Sequence, residues 1–195
     1  MADLAADHDL LRQMRMGDAQ AFTVLYRRYQ APLYRYALLR SGSEAVAADL
    51  VQEVFMGLVQ GQYRFDPGLG QLQFFLFGVI RNLALKIDVQ DRRFESRDQS
   101  NQDNETEDEV ICEHPSPLQR LLHDEMAEEL RIAIAALSPH YRDVLILFEI
   151  QELSYLEIAQ ICQINVGTVR SRLSRARQTL AQRLSDWQPS LARSA

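Results

Sequence analysis

The sequence is poor in cysteine, because its 195 residues include only Cys112 and Cys162. Two cysteines cannot build a disulfide framework, and a structural zinc site needs about four clustered Cys or His ligands. Cys112 and His114 would supply at most half of such a site. We therefore expect no structural disulfide, no metal and no cofactor.

Long hydrophobic runs are also missing. The longest stretch of only apolar residues and glycine covers residues 74–80, whereas a membrane-spanning helix needs roughly 20 residues. The first residues carry Asp3, Asp7 and Asp9 and lack the apolar block of a secretory signal. These absences predict a cytoplasmic protein with no membrane insertion.

Strand-like alternation is absent, and 47% hydrophobic with 25% charged residues is typical of a folded chain. We predict an all-α protein of two small helical domains, the second containing a helix-turn-helix. The first helix is expected to be capped by Asp7 or Asp9 and to end near Met16. Later in the chain, Ser138 followed by Pro139 predicts an N-cap and the first turn of another helix.

Acidic residues are concentrated in the middle of the chain. The net charge is -6, but residues 95–130 carry 12 acidic and two basic side chains, while residues 131–195 carry five acidic and eight basic ones. Segment 95–117 therefore predicts a flexible acidic linker between the domains. Its charge could simply keep the segment soluble, or it could imitate nucleic acid in a basic channel.

Residues 153–180 predict two helices joined by a tight turn. Ser154 and Glu157 have the spacing of a capping box, and Asn165 suits the N-cap of the second helix. The apolar positions of that second helix are four, three and four residues apart, at Val169, Leu173, Ala176 and Leu180. This spacing predicts a single buried stripe.

The rest of that helix is cationic, and no acid occurs between Arg170 and Arg183. Guanidinium groups can donate two hydrogen bonds to guanine or bind phosphate, and small side chains between them let the backbone approach DNA. The candidates for DNA contact are Arg170, Ser171, Arg172, Ser174, Arg175 and Arg177. The alternative is an ordinary solvated, arginine-rich helix surface.

A helix over about residues 44–60 is predicted to present Asp49, Gln52, Glu53 and Met56 in an outward line. Acids around an exposed methionine suggest a docking face for a basic partner. An ordinary solvated helix surface explains the same residues and, on this pattern alone, is the simpler interpretation.

The next feature is a turn-rich loop, residues 65–70, followed by a helix over about residues 74–87 that is too apolar for one buried stripe. Its polar residues include Arg81, Asn82 and Lys86. Aromatic side chains beside Arg and Asn would suit unstacked, single-stranded bases. Burial in the core is the commoner explanation for each phenylalanine.

Six segments occur in an order and at a spacing that match a known family: GDAQAFTVLYRRY, DLVQEVF, RFDPGLG, IRNLAL, LSPHYRDVLIL and LSYLEIAQICQINVGTVRSRLSRAR. Together they resemble the sigma-70 family of bacterial transcription initiation factors, in particular its extracytoplasmic-function (ECF) members. The resemblance covers most of the chain.

The resemblance implies an N-terminal domain, 1–94, that binds the β′ clamp of core RNA polymerase and the -10 element of promoter DNA. A C-terminal domain, 118–188, would bind the -35 element and the β flap. The linker, 95–117, would thread through the polymerase, and 189–195 would be a frayed tail. An anti-sigma factor that masks both domains is a further expected partner.

The family's functional positions map onto residues of this sequence. The polymerase-binding positions are Asp49, Gln52, Glu53 and Met56. The -10 positions are Asp66, Gly70, Gln71, Phe75, Arg81, Asn82 and Lys86. The -35 positions are Arg170, Ser171, Arg172, Ser174, Arg175 and Arg177.

Three residues depart from the family pattern. Phe75 stands where tryptophan is usual, and Lys86 replaces a common acid. Gln163 takes a turn position where glycine is frequent, so a left-handed backbone there would be slightly strained.

The sequence shows no Ser/His/Asp set and no phosphate-binding glycine loop, so we expect no enzymatic activity. The alternative to a sigma factor is a stand-alone helix-turn-helix regulator whose N-terminal helices sense a ligand or dimerise.

Overall fold

The computed structural model describes residues 2–95 and 117–185, with side-chain environments for residues 7–89 and 126–185. The first four helices are α1 (Ala2–Arg15), α2 (Ala19–Ser41), α3 (Glu44–Val59) and α4 (Leu72–Glu95), with a 3-10 turn at Pro67–Leu69. The second four are α5 (Pro117–Ala135), α6 (Pro139–Leu145), α7 (Tyr155–Cys162) and α8 (Val166–Ser185), with a π-helical turn at Ile146–Ile150. Neither described range contains a strand, and the all-α fold class is confirmed.

The predicted linker and tail lie almost entirely beyond these ranges. The linker overlaps them only at its ends, because α4 extends to Glu95 and α5 begins at Pro117. The predicted tail, residues 189–195, and Cys112 with His114 lie outside the described residues.

The expected cap of the first helix is wrong. Asp7 and Asp9 both lie inside α1, and Asp7 is buried, where its carboxylate accepts from Arg28 at 2.5 Å and from the Tyr29 hydroxyl. Asp7 falls four residues before Leu11, which is also buried, so the carboxylate shares the core face of the helix. The burial of Asp7 is possible because both of its oxygens have partners.

Capping residues mark several of the helix ends. Asp18 accepts from the backbone amides of Gln20 and Ala21 at the start of α2, and Gly42, with φ +72°, ends that helix in the left-handed region that glycine adopts without strain. Ser138 occupies the N-cap of α6 as predicted, but its side chain makes no capping hydrogen bond.

One continuous hydrophobic core joins an N-terminal group of helices, α1–α4, to a C-terminal group, α5–α8. Helix α2 packs against α5, α6 and the π-helical turn, and α4 packs against α7. Tyr36 and Phe77 meet edge to face in this core, with ring centroids 5.7 Å apart. Helix α4, which carries four of the predicted -10 residues, is therefore packed directly against the predicted -35 unit.

Candidate nucleic-acid interface

The turn between α7 and α8 has the local structure that the sequence predicts. The Ser154 amide donates to Glu157 at 2.7 Å while the Glu157 amide donates to the Ser154 hydroxyl at 3.4 Å, which completes the capping box. Gln163 ends α7 with φ +55°, and the Asn165 side chain then accepts from the Thr168 amide at 2.7 Å. Two capped helices thus meet at Gln163, and the left-handed backbone conformation of this residue sets the direction of α8.

Helix α8 has one buried face and one cationic face. Val169, Leu173 and Ala176 are buried. The predicted DNA-contact residues lie outside that stripe, with Arg172 half-buried and the others exposed: Arg170, Ser171, Ser174, Arg175 and Arg177. The exposed arginines therefore make the solvent-facing side of α8 positive, while its opposite side is anchored in the core.

Two of these arginines already have partners within the chain. Arg175 donates to the Tyr141 hydroxyl at 3.4 Å, and this hydrogen bond raises the pKa of its guanidinium. Arg177 donates from Nε to Glu149 at 2.7 Å and lies over the Phe148 ring, 5.2 Å from its centroid. Arg177 is thus held toward the π-helical turn, whereas the hydrogen bond of Arg175 is long enough for DNA to replace it.

The loop before α4 is built around Asp66. Its carboxylate accepts from the Gly68 amide at 2.9 Å, which closes the 3-10 turn. Gly70 follows with φ +137°, a conformation open to glycine but unfavourable for other residues. Gln71 is exposed, but the Leu69 carbonyl accepts from the Gln160 side chain of α7 at 2.5 Å. The C-terminal group therefore touches this predicted -10 loop.

The predicted -10 residues of α4 do not share one surface. Asn82 and Lys86 are exposed and, four residues apart, lie on the same side of the helix. Phe75 is half-buried beside Phe65, with ring centroids 5.6 Å apart. Arg81 is only 8% exposed, and its Nε donates to Asp143 of α6 at 2.9 Å. The structure therefore separates Arg81 from the exposed pair.

The predicted polymerase-binding residues lie together on α3. Asp49, Gln52 and Glu53 are exposed, and Met56 is 48% exposed. Gln52 and Met56 also line an open groove of about 660 Å³ between α2 and α3. The groove contains an aromatic cluster in which the Tyr26 and Phe55 ring centroids are 4.8 Å apart. An apolar groove with acidic residues on one side suits a helix that is both apolar and basic.

Sequence reasoning missed a buried ionic cluster, which we call the Asp143 cluster. The Asp143 carboxylate is fully buried and accepts from the Tyr36 hydroxyl, Arg40 and Arg81, while Arg40 also pairs with Asp88. A signal was available, because Tyr29, Leu33, Tyr36 and Arg40 follow the same four-three-four spacing and are all buried. That spacing places Arg40 on the core face of α2.

Electrostatic interactions and burial keep Arg40 charged and its neighbours Tyr36 and Cys162 protonated. Burial alone lowers the pKa of Arg40, but hydrogen bonding to Asp88 and the negative charge of Asp143 outweigh it, so the pKa is raised. Burial, aided by the charge of Asp143, raises the pKa of Tyr36 well above its usual value. Burial likewise raises the pKa of the nearby Cys162 thiol to about 11.

Within the described ranges, no helix is long and apolar enough to span a bilayer. Nor do these ranges contain a group of three or more His, Cys, Asp or Glu side chains placed to hold a metal ion.

Two protein-family models match this chain, and they match it in the same order as the predicted N-terminal and C-terminal units. Residues 25–93 match the family model for sigma-70 region 2, and residues 123–180 match the model for sigma-70 region 4. The exposed cationic helix α8 lies within the second match, and α3 and most of α4 lie within the first.

Individual relatives extend the match over most of the chain. The ECF RNA polymerase sigma-E factor of Escherichia coli is 31% identical over 187 residues, which cover 92% of this chain and 95% of that protein. The ECF RNA polymerase sigma factor SigE of Mycolicibacterium smegmatis is 33% identical over 172 residues, but this chain spans only 64% of its length.

A solved structure shows the same fold. The sigma factor RpoE of Bartonella quintana, crystallised with the anti-sigma factor NepR, superposes with a TM-score of 0.65 at 27% identity and covers 87% of this chain. All of that RpoE chain is matched. The chain described above therefore belongs to the sigma-70 family of RNA polymerase sigma factors, within its extracytoplasmic-function group.

Proposed function

We propose that this sigma factor brings core RNA polymerase to a restricted set of promoters and helps to open the -10 region, with no catalytic chemistry of its own. The observation that carries this proposal is the cationic surface of α8, which is backed by the buried stripe of Val169, Leu173 and Ala176. Such a helix can enter the major groove as a rigid body and present guanidinium groups to base edges and phosphates.

The two groups of helices have different proposed binding roles. The N-terminal domain, 1–94, binds the polymerase clamp and the -10 element, and the C-terminal domain, 118–188, binds the -35 element and the flap. The segment between them, 95–117, connects the two DNA-binding units. The protein works in the cytoplasm, where polymerase and promoters are found.

The polymerase contact is assigned to the groove between α2 and α3. Its aromatic wall, with Phe22 and Tyr26 stacked at a centroid distance of 5.8 Å, offers apolar surface to an incoming helix. Asp49 and Glu53 are exposed on the same helix as Gln52 and Met56. If these carboxylates pair with a basic helix of the clamp, they would orient the sigma factor on the polymerase. The groove would then supply most of the apolar contact.

An anti-sigma factor is the proposed regulatory partner. The support is that the similar RpoE of Bartonella quintana was crystallised with the anti-sigma factor NepR. A protein that covers the α2–α3 groove and the α8 surface together would block both polymerase and DNA.

Reconstituted transcription tests the function directly. Core RNA polymerase and the full-length protein are incubated with sheared genomic DNA, and the 5′ ends of the transcripts are mapped. We expect discrete start sites that share two upstream sequence elements and that disappear when the protein is omitted. If no such start sites appear while the protein alone binds a palindromic site tightly, a stand-alone regulator is the correct function.

A further inference from the structure

Arg177 of α8 is bound within the chain by two different kinds of contact. Its Nε donates to Glu149 Oε1 at 2.7 Å, and its Nη2 lies 2.6 Å from the same oxygen. The guanidinium also lies over the Phe148 ring, 5.2 Å from the ring centroid. Because a carboxylate and an aromatic ring bind the same guanidinium, Arg177 is held beside the π-helical turn.

The same contacts continue to the start of α7. The rings of Phe148 and Tyr155 pack against each other, with centroids 5.2 Å apart and planes inclined by 34°. Tyr155 is the first residue of α7 and directly follows Ser154, whose capping box begins that helix. A series of contacts therefore runs from α8 through the π-helical turn to α7 and joins the two helices of the helix-turn-helix on the side away from their turn.

The place of Arg177 along α8 disfavours a role in base readout. In a helix-turn-helix, the N-terminal residues of the recognition helix contact base edges. Helix α8 begins at Val166, and Arg177 lies about three turns and 16 Å further along the axis. A DNA phosphate at Arg177 would also meet the exposed carboxylate of Glu149, which repels it.

We propose that Arg177 is a positioning residue, which sets the orientation of α8 through Glu149 and Phe148 and makes no contact with the -35 element. This inference rests on the proposed function, which assigns α8 to that element, and it removes Arg177 from the predicted DNA-contact residues. Glu149 is then a positioning residue as well. The buried stripe of α8 holds the helix against the core, and the Arg177 contacts limit its rotation about its own axis.

The first experiment uses the free, full-length protein and needs no promoter. Glu149→Gln keeps the size of the side chain but removes the charge that pairs with Arg177. Glu152→Gln is the matched control, because Glu152 is an exposed acid that follows the same π-helical turn and lies outside the contacts described for Arg177. Both variants are first checked for unchanged helical content by circular dichroism.

Amide hydrogen exchange reports how firmly α8 is held. We expect the amides of residues 170–178 to exchange about threefold faster in Glu149→Gln, as is usual for the loss of an ion pair supported by an aromatic ring. Glu152→Gln should exchange like the parent protein. Equal exchange in the parent and in Glu149→Gln overturns the proposal.

The second experiment measures promoter binding by core polymerase loaded with the full-length protein. Arg177→Ala and Glu149→Gln should each weaken binding about threefold, and the double variant should bind no more weakly than Arg177→Ala alone, because both changes remove the same contact. Glu152→Gln should bind like the parent. Tighter binding by Glu149→Gln would mean that Glu149 only competes with DNA for Arg177, which contradicts the positioning role.

Salt dependence separates a positioning residue from a phosphate contact. Each phosphate contact that is lost lowers the slope of log affinity against log salt concentration by about one. Arg177→Ala should therefore keep the slope of the parent, and a slope lower by about one overturns the proposal. A parent protein that binds the mapped promoter and a scrambled -35 sequence equally would instead refute the proposed function, while the exchange measurement still decides whether Arg177 positions α8.

Discussion

Arg40 Nε donates to Asp143 Oδ1 across 2.6 Å, although the two residues are 103 positions apart in the chain. The bond joins the end of α2 to the middle of α6, and thus the unit assigned to the -10 element to the unit assigned to the -35 element. Because both side chains are almost completely buried, each charge depends on its ion-pair partners, which also include Asp88 for Arg40 and Arg81 for Asp143. A buried ion pair therefore joins the two groups of helices in the free protein.

The cationic face of α8 leads to a prediction about base readout. Arg175→Ala should weaken binding to the -35 element by about 1 to 3 kcal/mol, because Arg175 is exposed and its hydrogen bond to the Tyr141 hydroxyl is long, at 3.4 Å. Binding is measured by fluorescence anisotropy on the mapped promoter and on a scrambled -35 sequence. The control is Arg183→Ala, which removes an exposed arginine at the end of the same helix.

The two DNA sequences separate the possible roles of Arg175. A loss confined to the mapped promoter shows that Arg175 reads a base. Equal loss on both sequences would make it a phosphate contact and remove it from the set of specificity residues.

The acidic residues of α3 lead to a prediction about polymerase. Replacing both Asp49 and Glu53 by Lys should weaken binding to core polymerase by about 100-fold or more, because like charges would then face the basic clamp. The measurement is binding of fluorescently labelled protein to core polymerase. Glu44→Lys, at the exposed start of the same helix and not among the residues that line the groove, is the control. Unchanged affinity in the double variant would refute the docking assignment.

Much of the site was predictable because it depends on local chemistry. The capping box at Ser154, the cap at Asn165 and the single buried stripe of α8 all follow from contacts within a few residues. The contacts of Asp143 could not be predicted in this way. Spacing can place Arg40 on a buried face, but it cannot identify a partner 103 residues away, because that choice depends on how the helices pack.

The first helix shows the same limit. Spacing alone made Asp7 a candidate cap, because an Asp near the start of an apolar pattern usually is one. In the folded protein Asp7 is buried inside the helix instead, because Arg28 and Tyr29 of α2 supply the hydrogen bonds that make its burial favourable.

The burial of Asp7 leads to a stability prediction. Asp7→Ala should lower the free energy of unfolding by about 1.5 to 3 kcal/mol, because it removes the buried carboxylate that accepts from the Tyr29 hydroxyl and from Arg28. Asp9→Ala is the matched control on the same helix, since its pair with Arg12 is exposed and long, at 3.5 Å. That variant should stay within about 0.5 kcal/mol of the parent. Both values are obtained from urea denaturation, and equal effects would contradict the assigned role of Asp7.

The Cys162 thiol leads to a prediction about pH. Its pKa of about 11 in the folded protein, raised by burial, means that the reactive thiolate keeps increasing above pH 9, about tenfold for each pH unit. In a Cys112→Ser protein, the rate of alkylation should therefore rise steadily from pH 8 to pH 9.5 without levelling. The same protein unfolded in urea should bend away from this slope near pH 9, because the ordinary pKa of the thiol is about 9. The same bend near pH 9 in the folded protein would show that the thiol is not in the buried environment described.

The same shift has a consequence for stability. Because the unfolded thiol ionises first, the contribution of Cys162 to stability is complete below about pH 9 and is lost as the pH rises toward 11. A Cys162→Ala variant should lack this part of the alkaline loss.

The turn of the helix-turn-helix leads to a last prediction. Gln163 has φ +55° and ψ 47°, a left-handed conformation that strains any residue with a Cβ, so Gln163→Gly should raise the free energy of unfolding by about 1 kcal/mol. Gln178→Gly, at an exposed position inside α8, should instead lower it by about 1 kcal/mol, because glycine is unfavourable in a helix interior. Thermal and urea unfolding of both variants give the comparison. If glycine destabilises both positions alike, the backbone at Gln163 is not strained.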